Sequence, residues 1–107
     1  MSLDIWLEAL EPVEVWSANI THNLTGMAKE VGIYQYLWHP EEVGVTKAEN
    51  LIVPLQNAIE LLHDDVARYT MFNSPNGWGS YADFVSYLKK FLAACVKYPD
   101  ATVHVSI

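Results

Sequence analysis

The stretch TKAENLIVPLQNAIELLH, residues 46–63, decides the fold. Ala48, Leu51, Ile52, Leu55, Ala58, Ile59 and Leu62 recur at three- and four-residue steps, which lays them along one stripe of a helix. Lys47, Glu49, Gln56, Asn57 and Glu60 fall on the opposite, wettable side. Thr46 and Glu49 have the spacing of a capping box. Pro54 lies within the stretch and would cost an isolated helix about 3 kcal/mol, yet the apolar phase continues across it. The spacing therefore predicts one helix, kinked at Pro54, whose stripe the rest of the chain must cover.

Upstream, the period is that of strands. Ile5, Leu7 and Ala9 alternate with Trp6 and Glu8, and Val13, Val15 and Ser17 alternate with Glu14 and Trp16. Pro12 suits the turn of a hairpin, and Trp6 and Trp16 read as cross-strand partners or as a lid on the core. The period then changes. Leu24, Met27, Ala28 and Val31 form a helical stripe with Thr21 or Asn23 as N-cap and Gly32 as a left-handed stop. Residues 33–38 read as a short helical turn or buried connector ending before Pro40.

Downstream, Asp64 is placed to cap a short helix through Val66, Ala67 and Tyr69. Asn73 to Gly79 is the strongest break in the chain, since Asn76-Gly77 favours positive φ. Ser80 and Asp83 open a last helix with Tyr81, Phe84, Val85, Leu88, Phe91, Leu92, Cys95 and Val96 on its apolar side. Val103, Val105 and Ile107 alternate with His104 and Ser106 as a closing strand beside the hairpin. The expected architecture is one α+β domain over residues 1–107, with a small, mainly antiparallel sheet packed against three main helices.

Composition narrows the partners. At 107 residues the chain suits one modest core, and 51% hydrophobic residues exclude disorder. A formal charge of -7 argues against duplex nucleic acid and anionic membrane surfaces, both of which are bound through Lys and Arg. No apolar run approaches the length of a membrane span. Asp4 and Glu8 interrupt the N-terminal segment before a signal-peptide core can develop, and Cys95, the one cysteine, has no disulfide partner. A reducing, cytoplasmic setting is expected, which makes the glycosylation sequons at Asn19 and Asn23 chance matches.

Enzyme signatures are missing. His22, His39, His63 and His104 include no pair at zinc-site spacing, although His39-Pro40-Glu41-Glu42 and His63-Asp64-Asp65 could each offer a ligand or two. There is no Gly-x-Ser-x-Gly elbow, and Cys95 sits on a buried stripe where a thiol is inert. The 76–79 loop lacks the lysine of a phosphate-binding loop, and the sequence carries no cofactor motif. The carboxylate pairs Glu41/Glu42 and Asp64/Asp65 are chain neighbours, unsuited to facing each other across a substrate.

Two polar-aromatic segments stand out. Asn19, Thr21, His22 and Asn23 crowd the strand-to-helix junction, and Asn73, Asn76 and Trp78 crowd the loop before the last helix. If the segments meet, these residues would line a pocket for a small polar or nucleotide-like ligand. The plainer reading has precedence: Asn and Thr cap, the glycines turn, and Trp78 plugs the core with its indole N–H on a carbonyl.

Asn19-Ile20-Thr21-His22-Asn23-Leu24 with Met27-Ala28, Gly32-Ile33-Tyr34, Asn76-Gly77-Trp78-Gly79 with Tyr81, and Ala94-Cys95 to Tyr98-Pro99-Asp100-Ala101 together resemble a family of small bacterial and phage proteins. The resemblance spans roughly residues 19–106 and omits the N-terminal strands. It implies a phage or prophage accessory setting and, since that family has no assigned activity, no catalytic residues. The leading expectation is a non-enzymatic binding protein whose partner is another protein or its own copy, with the small-ligand pocket as the alternative. A weaker third reading is nucleic-acid mimicry by Glu8, Glu11, Glu14, Glu41 and Glu42.

Overall fold

A computed structural model describes residues 2–9 and 13–107. Strands β1 (Ser2–Glu8), β2 (Glu14–Thr21) and β3 (Thr102–Ser106) form an antiparallel sheet in the order β2-β1-β3. The helices are α1 (Thr25–Val31), α2 (Tyr34–Trp38), α3 (Ile52–Asp64), α4 (Val66–Thr70) and α5 (Tyr81–Lys97). The α+β class is as expected, with α1, α3 and α5 as the main helices. The expected turn at Pro12 lies outside the described residues, as does Glu11.

Of the stripe of residues 48–62, Ala48, Leu51, Leu55, Ala58 and Leu62 are inaccessible or nearly so, while Ile52 and Ile59 are partly buried against them. They pack with Phe84, Leu88 and Phe91 of α5 and with Leu3, Ile5, Leu7 and Ile20 of the sheet in one cluster. Pro54 does not fall in a helix interior, where the kink was expected. Residues Ala48–Leu51 form a 3-10 turn and the α-helix proper starts at Ile52, so Pro54 falls in its first turn. Backbone amides there have no partner within the helix, so a proline removes nothing. The start is capped by Asn50, whose Oδ1 accepts from the N–H groups of Thr46 (3.2 Å) and Lys47 (3.1 Å), rather than by Thr46 with Glu49. One residue of displacement also applies further on, where Asp65, not Asp64, accepts from the Arg68 N–H at 3.2 Å.

The two strand tryptophans are not partners. Trp6 pairs with Ser17, whereas Trp16 pairs with Leu7, so the indoles lie on opposite faces of the sheet. The register shift between Leu7 and Glu8 leaves Val15 as an extra residue and sets Trp16, Ala18 and Ile20 on the core face. Trp16 is indeed a lid, stacked on Phe91 with ring centroids 4.7 Å apart. Trp6 stacks instead on His104 of β3, at 5.4 Å, on the face away from the helices. Val96 departs from the expected stripe of α5 and is exposed.

Cys95 is fully buried, and desolvation pushes its thiol up to about 12. Burial raises the Tyr87 hydroxyl in the same direction. An unfolded chain ionises Cys95 near its ordinary value of 9.0 while the folded chain keeps the proton. Stability is therefore complete below that value and declines as pH rises towards about 12, with a slope of about 1.4 kcal/mol per pH unit for each such proton. Urea midpoints at mildly and strongly alkaline pH should show this decline, and Cys95→Ala should make it shallower. An aromatic disulfide reagent at mildly alkaline pH should leave the native thiol untouched and label it after denaturation.

Candidate functional site

The two polar segments meet. Thr21 is extended and caps the 3-10 turn His22–Leu24, its Oγ1 accepting from the Asn23 N–H at 3.2 Å. That cap frees the Asn23 side chain, which donates from Nδ2 to the Trp78 carbonyl at 3.0 Å and ties the loop to the end of β2. The contact is close because Gly79 is buried against Thr21 and Leu24: a Cβ at that position would lie 3.0 Å from the Thr21 methyl.

The loop itself is heavily bonded. The Asn76 Oδ1 accepts from the Trp78 N–H (2.9 Å) and the Ser74 hydroxyl (2.5 Å), and the Ser74 N–H donates to the Gly79 carbonyl at 3.0 Å. The Asn73 Oδ1 accepts from the Tyr81 N–H at 2.7 Å, fixing the loop to α5, where the Ser80 hydroxyl caps by accepting from the Asp83 N–H. Phe72 lies against Gly26 of α1 on the other side.

Ser2, Asn19, Thr21, His22, Asn23, Asn76 and Trp78 line an open depression of about 640 Å³. Thr21, His22, Asn23, Asn76 and Trp78 are all among them, as is Asn19 of the same expected segment, while Asn73 is not. Asn19 sits opposite Asp4 in the ladder and donates from Nδ2 to Ser2 Oγ and Asp4 Oδ1, both at 2.7 Å. Trp78 does not plug the core. Its side chain is 72% exposed on the rim, so the expected burial is overturned.

The lining residues include no carboxylate, lysine, arginine or cysteine, and the Asp4 carboxylate is bonded to one of them, Asn19. It offers amides, hydroxyls and one flat aromatic face. His22 is half-buried, tilted against Trp38 with ring centroids 6.1 Å apart, and its Nε2 has no hydrogen-bond partner among the described residues. Elsewhere, His39, Glu41 and Glu42 bring donor atoms within 4.8 Å of one another. Both ring nitrogens of His39 are engaged, Nδ1 with Glu42 at 3.3 Å and Nε2 with the Tyr34 hydroxyl at 3.4 Å, so this group is explained as an exposed polar turn. Among the described residues no helix is long and apolar enough to cross a membrane. Comparison of the chain with protein-family models, curated proteins and solved structures yields no match.

Proposed function

We propose that this chain is a small non-enzymatic binding protein, and that the depression between residues 19–23 and 76–78 takes an uncharged polar ligand with a flat face, such as a nucleoside or nucleobase. The observation that carries the reading is an exposed indole held in place. Leaving a tryptophan 72% exposed forgoes most of the roughly 1.5–3 kcal/mol that burying a large apolar side chain brings. Nevertheless, the loop bearing it is fixed by side-chain bonds from Asn23, Asn73 and Asn76. A fixed aromatic face beside amide and hydroxyl groups is what stacking plus directional hydrogen bonding requires. A lining without lysine or arginine, with the Asp4 carboxylate bonded to Asn19, disfavours phosphorylated forms, which need a cation or an aligned set of amides. In this reading the chain serves as an accessory factor of the kind that the resemblance to bacterial and phage proteins implies.

Titration with adenosine, cytidine, guanosine and uridine, followed by tryptophan emission and amide chemical shifts, tests the proposal. At least one nucleoside should shift the amides of residues 21–23 and 76–79, and its monophosphate should bind more weakly. Trp78→Ala should lower that affinity by about 1–3 kcal/mol, roughly 5- to 150-fold, while moving the stability of an exposed site by no more than about 0.5 kcal/mol. If no nucleoside perturbs these amides, or if Trp78→Ala binds as well as the parent, the proposal fails.

A further inference from the structure

The sheet has two edges, and the chain itself covers one. The Val103 N–H of β3 donates to the Thr46 carbonyl at 3.0 Å, Lys47 bridges to Thr102, and the Ala48 N–H donates to the Ala101 carbonyl at 2.8 Å. Because the Val103 N–H points away from β1, Leu7 opposite it directs its own backbone groups towards β2. Alternation then assigns Trp16, Ala18 and Ile20 to the β1 ladder and turns the N–H and C=O groups of Ser17 and Asn19 outwards. Among the described residues nothing bonds those outward groups.

Open edges are ordinarily blunted by lysine, proline or a bulge. The bulge at Val15 sits near the hairpin end, and Trp16–Thr21 contain neither lysine nor proline. Beside this edge, on the face away from the helices, Asp4, Trp6, Glu14, Ser17 and Asn19 border a groove of about 490 Å³, with the backbone of Ile5 and Ala18 beneath. Its charged side chains, Asp4 and Glu14, are both acidic, and Trp6 supplies an aromatic face.

From this juxtaposition we infer that β2 is a docking edge for an extended basic peptide, which adds as a fourth strand and lays Arg or Lys side chains across the outer face. Residues of an added strand lying opposite Ser17 and Asn19 point to that same face. A long basic side chain opposite Ser17 passes over a small hydroxyl to reach Trp6 about one strand spacing, 4.8 Å, beyond β2, where a guanidinium stacks favourably. One opposite Asn19 passes towards Asp4. A second copy of this chain is the poorer occupant: at -7 each, two copies repel, and β2 offers no basic residue to the carboxylates.

The test uses the full chain and a fluorescein-labelled peptide of about six to eight residues, the length of a strand, alternating Arg with Thr. A matched peptide carrying Glu in place of Arg serves as control. The Arg peptide should raise anisotropy, shift the amides of residues 15–21 and weaken at least tenfold as salt rises from about 0.05 to 0.3 M. The Glu peptide should not bind. Ser17→Lys, an exposed substitution that leaves the fold intact, should reduce affinity at least tenfold, and the pair Asp4→Asn with Glu14→Gln should do so too while keeping the backbone edge. Equal binding of the Glu peptide, undiminished binding by both variants, or amide shifts confined to the helices would overturn the inference. So would a concentration-dependent dimer, seen by light scattering, that the Arg peptide does not dissociate.

Discussion

Phe91→Ala is expected to remove about 3–5 kcal/mol of stability, enough to unfold much of a domain whose total is on the order of 5–15 kcal/mol. Phe91 is inaccessible to solvent and sits where α5 meets the sheet, its ring parallel to that of Trp16 within 6° and 4.7 Å away. Truncation therefore costs both the cavity and a stacked pair worth about 0.5–1.5 kcal/mol beyond its buried area. Tyr87, with its ring centroid 6.1 Å from Phe91 and 6.4 Å from Trp16, would lose packing at the same point. Urea denaturation followed by circular dichroism reads the loss, and red-shifted emission reports the freed Trp16. Trp6→Ala provides the contrast, since that ring stacks on His104 outside the core and its removal should cost no more than about 1 kcal/mol. Comparable losses for the two variants would mean that the helices do not cover the face of the sheet described above.

The interior was legible because periodicity is a property of neighbouring residues. Leu55, Ala58 and Leu62, or Phe84, Leu88 and Phe91, announce a buried face whatever lies against it. Caps were legible to within one position: Ser80 with Asp83 fell where expected, while Asn50 and Asp65 took roles assigned to residues beside them. Such choices turn on which side-chain oxygen lies nearest a free amide, a difference smaller than a sequence rule resolves. The tolerance of Pro54 depended on where α-geometry begins, and a 3-10 turn has nearly the same apolar spacing as the helix that follows it.

Which face of β2 is inner was not legible, for a related reason. Alternation gives two faces and does not say which is inner, and the extra residue at Val15 breaks the count carried over from the turn. The site shows the same limit. Residue type correctly drew together Thr21, His22, Asn23, Asn76 and Trp78, because turns and caps have polar signatures. That Trp78 stands outside the core depends on how the distant elements pack, which residue type alone does not encode.

Gly79→Ala should dismantle the candidate site while sparing the rest of the fold, and Gly77→Ala should not. Both glycines have positive φ, +78° at Gly77 and +107° at Gly79, so an alanine strains the backbone at either position, on the order of 1–2 kcal/mol. Only Gly79 adds a steric conflict. Its Cβ would stand 3.0 Å from the Thr21 methyl and 3.1 Å from Leu24 Cγ, whereas a Cβ at Gly77 meets nothing within 4 Å. Neither neighbour can yield easily: Thr21 is held by its cap to Asn23, and Leu24 is buried in the core. The loop must therefore lift, and the first bond to go is the one from Asn23 to the Trp78 carbonyl. The expected result for Gly79→Ala is a loss of about 2–4 kcal/mol, combining strain with overpacking. Trp78 emission and the amides of residues 21–24 should change with it, and any nucleoside response should vanish. For Gly77→Ala the loss should stay near the cost of strain, with the amides of residues 21–24 unmoved. Equal effects of the two substitutions on stability and on those amides would show that backbone conformation alone, not the close approach of the loop to β2, holds the two polar segments together.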